Sequence, residues 1–481
     1  MNQLLLAPTD VLFFRDGRPM GGSLAGHGAA WPLPTVTNAA LHAALWRSGL
    51  AAEAHAHGRD RPDAIKRTER FGSLTTVGPF PVCTNGRAHT WFYPRPLDAD
   101  GEIATDSTGN QISQGTAKVQ LSPAAPIPGS ASSNPLPLSV ASQIPPSKNT
   151  PAAWWSEGAW NTYLGTTQRD DLASRFFTKT DRDFSDQEYT IGIGIDPARG
   201  TQDGERIYSA HYLRLRDGWC LGLFAETAEK FAEAEKHGSR RDLIPELITQ
   251  SSQLLIGGQQ RLCTTKQTAL TARLPLPLGK ASGFDTTTLP VLGQPHPRHL
   301  VKWVLLSPAI FPAIRAENDK GIVAHTGGWL PNWISDDDAH RVLLKAPLPA
   351  RDVKQMSREA YRAQVRSQPT IAAELVASVV GKPVPVTGWG IGTPDNPEAE
   401  ARDGGAKSTH LAVPAGSVYY FACNSAEDAA RLAAALNWHG GDATGAAIRN
   451  RRSTLLGEKG FGIGVCGTWT PHVGAPTSPS A

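Results

Sequence analysis

Four short stretches carry side chains with chemistry to offer. "LFFRDGRPMGG" (residues 12–22) sets Arg15 and Arg18 around Asp16-Gly17 and follows them with Gly21 and Gly22. "IGGQQR" ends on Arg261. "IRNRRS" supplies Arg449, Arg451 and Arg452, and "LLGEKGFGIG" groups Lys459, Gly460, Phe461 and Gly462. A guanidinium fork matches phosphate oxygens bidentately. Glycines leave backbone N–H groups uncovered, so a phosphate can approach them closely. A neighbouring aromatic ring gives a base a face to stack on, a contact worth ~1–3 kcal/mol. Cation, bare amide and flat ring in one place suit single-stranded RNA.

Each stretch also has a plainer reading. The glycines let helix pack closely on sheet, and the arginines form a solvated face. In the opening loop Asp16 pairs with one arginine and Pro19 stiffens the exit. We expect one of Arg15 and Arg18 to hold the turn and the other to meet RNA, and the pattern does not choose between them. Arg261 reads equally as a strand-end arginine in water, and Lys148 as a solvated lysine.

A search for a catalyst returns little. HExxH, a phosphate-loop lysine and a GxSxG elbow are all absent. His55 and His57 alternate rather than keep a helical metal spacing. Asp336, Asp337 and Asp338 are consecutive, which suits a turn or helix start better than convergence on one magnesium ion. His27 and His439 lie near the basic stretches and are the two histidines a metal-independent ribonuclease would recruit. The expectation is a protein that is not an enzyme, with no cofactor and no metal site.

These residues need elements to position them. Leu4 to Phe14 reads as a strand kinked at Pro8 and Asp10. "WPLPTVTNAALHAALWRSG" reads as a helix capped at Thr37 or Asn38 and stopped by Gly49. Apolar runs on both sides of Asp217-Gly218 give a strong hairpin signal. "SRRDLIPELITQSSQLL" reads as a helix capped by Ser239, and a glycine turn then enters another strand. "HLVKWVLLSPAIF", "KPVPVTGWGI" and "GSVYYFAC" are strands, "SAEDAARLAAALN" is a helix with a Ser425–Asp428 capping box, and "LGEKGFGIGVCGTW" is a glycine turn entering a last strand. Both halves thus run βαββαβ, although the first helix of the second half is poorly marked. The expected class is α+β, with two ferredoxin-like (RRM-like) domains at 1–285 and 286–481.

Residues about 97–200 form a long irregular insertion in the first domain. Its Pro/Ser/Gly-rich part, to Thr150, is expected to bury little. "TIGIGID" is marked as a short hairpin arm. Trp154, Trp155, Trp160 and Tyr163 are expected to form a packed satellite core rather than an exposed docking patch.

The chain has 481 residues and a net charge of +3, so no bulk charge demands a polyanion and any RNA site must be local. Five scattered cysteines read as reduced thiols. The N-terminus lacks the basic and apolar regions of a signal peptide, and no apolar run reaches the ~18 residues of a membrane span. A cytoplasmic, membrane-free protein is expected.

Six ordered segments, "LAPTDVLFFRDGRP", "YSAHYLRL", "IGGQQR", "VLLSPAIF", "VPAGSVYYF" and "LGEKGFG", resemble the RAMP superfamily of CRISPR-associated proteins. Within it the nearest pattern is that of the third subunits of type III-B Cmr interference complexes. The segments span nearly the whole chain apart from the insertion. Gln259-Gln260 departs from the acidic residue and glycine of the family pattern. The resemblance implies a non-catalytic subunit that caps the 5′ repeat-derived tag of a CRISPR guide RNA. It also implies two protein partners, the large polymerase-like subunit and an adjacent backbone RAMP subunit. A guide-processing endoribonuclease of the same superfamily, a structural adaptor without RNA contact, and the equivalent subunit of type III-A complexes are the alternatives.

Overall fold

The first strand, β1 (Asn2–Pro8), buries both faces: Leu4 and Leu6 pack among helices, while Leu5 points into the layer on the other side of the sheet. Proline has no N–H for the ladder, and the strand ends at Pro8. In this computed structural model the described residues are 1–15, 25–26, 28–50, 73–103, 107–108, 115–126, 134–145, 150–166, 176–195, 202–228, 241–268, 272–293, 295–317, 322–348, 356–390, 405–406, 408–442 and 444–472. Helix α1 (Pro34–Arg47) starts before the expected cap. Pro34 fits the first turn, where its missing N–H is no loss. Thr37 and Asn38 therefore sit inside the helix, and Asn38 Nδ2 donates to Thr76 Oγ1 at 3.1 Å.

The first half continues with β2 (Thr75–Asn85), β3 (Ala88–Pro94), β4 (Trp154–Ser156), α2 (Glu157–Leu164), β5 (Ser185–Ile195) and β6 (Gln202–Leu215). It closes with β7 (Trp219–Glu226), α3 (Ile244–Gln250), β8 (Gln253–Ile256) and β9 (Arg261–Gln267). An eight-stranded sheet runs Thr178–Lys179, β4, β3, β2, β7, β1, β9, β8. Its centre, β2-β7-β1-β9, places the first strand of a βαββαβ unit between the third and the fourth, all neighbours antiparallel.

The second half supplies β10 (Arg298–Leu305), α4 (Arg358–Ser367), β11 (Ala373–Val379), β12 (Val418–Cys423), α5 (Ala426–Leu436) and β13 (Gly464–Thr468). Its sheet is ordered β13-β10-β12-β11, the same arrangement again. Ser425 Oγ accepts the Asp428 N–H at 3.0 Å and caps α5, half of the expected box; the Asp428 carboxylate accepts from Ser425 Oγ and from the Ala372 N–H. The protein is thus a mixed, sheet-rich structure with few helices.

Three apolar layers hold these parts. One lies between the first sheet and α1 and α3. Another lies between the second sheet and α5. The third is shared by both sheets: Val77, Phe80, Trp91 and Phe224 from the first meet Leu300, Val304, Tyr420 and Val465 from the second. Along β12, Tyr419, Phe421 and Cys423 face α5 while Val418, Tyr420 and Ala422 face the shared layer. A strand buried on both faces reads as an unbroken apolar run, which "VYYFAC" is.

Several expectations need correction. The Asp217-Gly218 turn does not close a hairpin. β6 pairs with β5 in a separate three-stranded sheet, whereas β7 enters the large sheet between β2 and β1. The hairpin is instead β5–β6, a long arm paired from Ser185↔Leu215 to Ile195↔Gln202, longer than "TIGIGID" suggested. Ser239 lies outside the described residues, and Asp242 Oδ1 accepts the Ile244 N–H at the start of α3.

The insertion is the larger surprise. Leu136 and Leu138 are buried, with Leu138 N–H donating to Val376 O at 3.0 Å. Trp155, Trp160 and Tyr163 form part of the shared layer rather than a satellite, and only Trp154 joins a small cluster with Phe92 and Phe184. Asp98, wholly buried, accepts hydrogen bonds from Tyr163 Oη at 2.7 Å and Tyr420 Oη at 2.9 Å. Lys302 Nζ lies 3.5 Å from Asp98 Oδ2 and 3.6 Å from the Tyr163 ring centroid. Burial lowers the Lys302 pKa, and the Asp98 charge opposes that fall. A buried pair of this kind joins the insertion to the second sheet.

Candidate nucleic-acid interface

The turn between β8 and β9 is built around its close approach to Phe13 and Phe14, beyond the end of β1. A Cβ on Gly257 would stand 2.5 Å from Phe13 O, and the Gly258 N–H donates to that same carbonyl at 2.9 Å. Gln259 and Gln260 follow at φ 57° and 52°, a left-handed conformation that usually selects glycine. The Gln259 side chain helps to hold it, accepting from Tyr212 Oη and from Arg261 Nη2, both at 3.0 Å. The Arg261 guanidinium lies over the Tyr212 ring, 5.2 Å from its centroid, and Tyr212 meets Phe13 at 5.5 Å.

Charge at this turn is partly balanced. Asp10 reaches Arg214 at 3.0 Å and Arg261 at 3.5 Å. Its carboxyl is held below the ordinary range by the Val11 N–H first and then by those two arginines. Arg261 Nε is buried with no hydrogen-bond partner among the described residues. Arg15 is exposed and directly follows the Phe13–Phe14 pair on which the glycines rest. Arg18, Gly21 and Gly22, like Lys148, His27, His55 and His57, lie outside the described residues.

The second glycine turn has the opposite environment. A Cβ on Gly460 (φ 98°) would lie 2.9 Å from Thr76 O in β2, and one on Gly462 (φ 72°) would lie 2.0 Å from Ser453 N. Phe461 is wholly buried with Ile310, Val386 and Ala412. The stacking role expected of Phe461 is therefore corrected: its ring fills a core and has no face for a base. Gly460 and Gly462 serve the packing of this turn against β2 and against residues 452–453.

The three arginines before this turn divide. Arg452 Nε donates to Ala435 O at 2.6 Å, satisfying a carbonyl at the end of α5, and burial pushes its pKa down to about 10. Arg451 is also largely enclosed, and burial lowers its pKa against the pull of Glu226 and Glu458. Arg449 is exposed. Lys459 is half-buried, its N–H bonded to Leu456 O at 3.0 Å. Of the expected contacts in this half, Arg449 alone is exposed; Arg452 is half-buried and tied to the end of α5.

The two turns are connected through the opening loop. One end of that loop, Phe13–Phe14, carries Gly257 and Gly258; its other end, Leu33, packs with Phe461. Sequence reasoning missed Phe13, Tyr212, Asp10 and Arg214, which shape the first turn. It also missed Lys302, although a lysine inside "HLVKWVLL" marks a buried charge that needs a partner.

Among the described residues no group of three or more His, Cys, Asp or Glu converges as a metal site would require. Asp337 accepts N–H groups of Ala339 and His340 and holds a turn; no helix starts there. His439 is buried, with Nε2 accepting the Gly279 N–H at 3.0 Å, so it is no surface base. Among the described residues no helix is long and apolar enough to cross a membrane.

The sequence that builds these two repeats matches a family of CRISPR-associated proteins. More particularly, it belongs to the Cas_Cmr3 family, whose model matches residues 4–469. No curated protein matches the sequence. Among solved structures, the chain is similar to one in a cryo-EM structure of the type III-B Cmr-beta complex bound to cognate target RNA, at 13% identity and a TM-score of 0.34, over 87% of this chain and 86% of that one. It is also similar to a chain of the Csm3–Csm4 subcomplex of the type III-A interference complex, at 10% identity and a TM-score of 0.29, over 88% and 93%.

Proposed function

We propose that this chain is a non-catalytic, cytoplasmic RNA-binding subunit of a type III-B CRISPR effector complex. In this reading it is built as two ferredoxin-like modules, 1–285 and 286–481. It caps the 5′ repeat-derived tag of the guide RNA, anchors the large polymerase-like subunit and adjoins a backbone RAMP subunit. The observation that carries the RNA reading is the first glycine turn. There the Arg261 guanidinium is seated on Tyr212 with its side chain still 28% exposed, and Arg15 extends from the segment that the turn grips. A phosphate oxygen could accept from the exposed part of that guanidinium. Contacts of this kind give affinity, while splayed tag bases give specificity.

The test is crosslinking of the assembled particle with photoreactive nucleotides in the tag, followed by peptide mapping. Peptides containing Arg15 or Arg261 should carry the nucleotides. Changing both residues to alanine should weaken tag binding and reduce the log–log salt slope by ~0.7 per lost contact. Unchanged affinity would favour the adaptor. Metal-independent cleavage of repeat RNA by the isolated chain would favour the nuclease.

A further inference from the structure

Helix α4 differs from the other long helices in what surrounds it. α1 and α5 each bury an apolar face against a sheet. In α4, Tyr361 and Val365 are half-buried one turn apart, while Glu359, Ala360, Arg362, Ala363, Gln364, Arg366 and Ser367 are exposed. Its start is well made: Ser357 Oγ accepts the Ala360 N–H at 3.1 Å. The segment is therefore a formed helix that projects most of its surface into water.

Arg362 and Arg366 stand four residues apart, which places them on one stripe of that helix. At ~1.5 Å rise per residue the step between them is ~6 Å. Arg362 and Arg366 have neither an ion-pair nor a hydrogen-bond partner among the described residues. Arg214, Arg216, Arg241, Arg261 and Arg431, by contrast, each face a carboxylate.

The surrounding sequence adds to the contrast. Residues 341–366 hold seven arginines and lysines against two carboxylates, a net +5 in a chain whose total is +3. The remaining residues sum to a net −2, and the segment closely follows the carboxylates Asp336, Asp337 and Asp338. Like charges one turn apart repel and weaken a helix. Among the described residues no ion pair with Arg362 or Arg366 offsets that repulsion.

We propose that α4 is a second RNA-contact surface, whose arginine stripe binds the sugar–phosphate backbone of an RNA strand without reading its bases. This rests on the RNA-binding reading above. The chemistry favours RNA over a protein partner: the repeated groups are all guanidiniums, suited to phosphate, and the exposed positions of α4 carry no aromatic or large apolar anchor of the kind that centres a protein interface.

The test uses the full-length chain and two single-stranded RNAs, one with the repeat-derived tag and one of unrelated sequence. Arg362→Glu with Arg366→Glu should weaken both RNAs equally and lower the salt slope by ~1.4. Arg362→Lys with Arg366→Lys should retain most of the binding. An alanine pair, which preserves the helix, guards against a folding defect, and thermal melting should not move. The Arg15/Arg261 variant, which also removes phosphate contacts, should lower the slope independently and should alone lose the tag crosslinks. If the glutamate pair leaves affinity and slope unchanged while the Arg15/Arg261 variant still loses tag binding, the α4 proposal alone is overturned. If neither variant has an effect, both readings fall. Loss of complex assembly with RNA binding intact would assign the stripe to an acidic protein surface and overturn the proposal.

Discussion

The two glycine turns occupy equivalent places, each just before the last strand of its repeat, yet they have opposite environments. Gly257–Arg261 projects polar side chains beside Tyr212, whereas Gly460–Gly462 is pressed against β2 with Phe461 inside a core. In both, glycine is required by close backbone approach: to Phe13 in one case, to Thr76 and Ser453 in the other. The difference lies in the partner each turn approaches. The first packs on Phe13 and Phe14 and keeps its polar side chains at the surface, and the second packs between the repeats. A glycine turn thus reports a backbone contact; its neighbours decide whether a ligand can reach it.

The contrast is most open to attack at the second turn. Phe461→Ala should cost ~3–5 kcal/mol in thermal or denaturant unfolding, through lost burial and a cavity. RNA affinity per folded molecule should stay constant; a stable variant with weakened RNA binding would refute the burial described here. Gly462→Ala should cost ~3 kcal/mol, because the added carbon meets Ser453 N while φ remains positive.

Arg452 and Arg261 test the two environments directly. Arg452→Ala should lose ~2 kcal/mol with its bond to the end of α5 and leave the RNA salt slope unaltered. Arg261→Ala should change stability by less than ~1 kcal/mol and lower the slope by ~0.7. An exchange of these two signatures would reverse the assignment of the turns. At the first turn, Gln260→Gly should gain ~0.5 kcal/mol, relief of the left-handed strain exceeding the entropy that glycine loses; a loss would show that Gln260 makes a contact of its own.

The smallest effect concerns Asp10. Its folded pKa is depressed, so its contribution to stability is present above the ordinary carboxylate value of 3.8 and fades as pH falls through the lowered one. A carboxyl titration followed by NMR should place the Asp10 midpoint below 3.8. Asp10→Asn should tighten RNA binding slightly at neutral pH, since Arg261 loses a competing carboxylate. Weaker binding would mean that Asp10 orients Arg261 rather than competing with the phosphate.

Much of the order of elements was legible in the sequence because β1, α1, β12 and α5 carry their periodicity and caps locally; α4 and β11 were not, and "KPVPVTGWGI" forms two small strand pairs outside the second sheet. The turn at Gly257–Arg261 was legible for the same reason: its cation and glycines are adjacent along the chain. What escaped depends on partners far away. Asp217-Gly218 has the residues of a hairpin, but Leu221 and Phe224 are drawn into the large sheet and separate β7 from β6. Phe461 reads as an exposed ring beside Lys459 until Ile310, Val386 and Ala412 close over it. Tyr212 could not be joined to Arg261 because 49 positions separate them, and only the paths of β6 and β9 bring them together.

The Asp98–Lys302 contact has a consequence for any attempt to shorten this protein. Residues 97–164 look expendable, a proline-rich detour between two strands. Replacing them with a tight loop would withdraw two indoles and a phenol from the seam between the sheets and strand an ammonium group in hydrocarbon. The detour is a wedge that sets how far apart the two halves stand, and a minimised version of the chain would have to redesign that seam before any RNA was added.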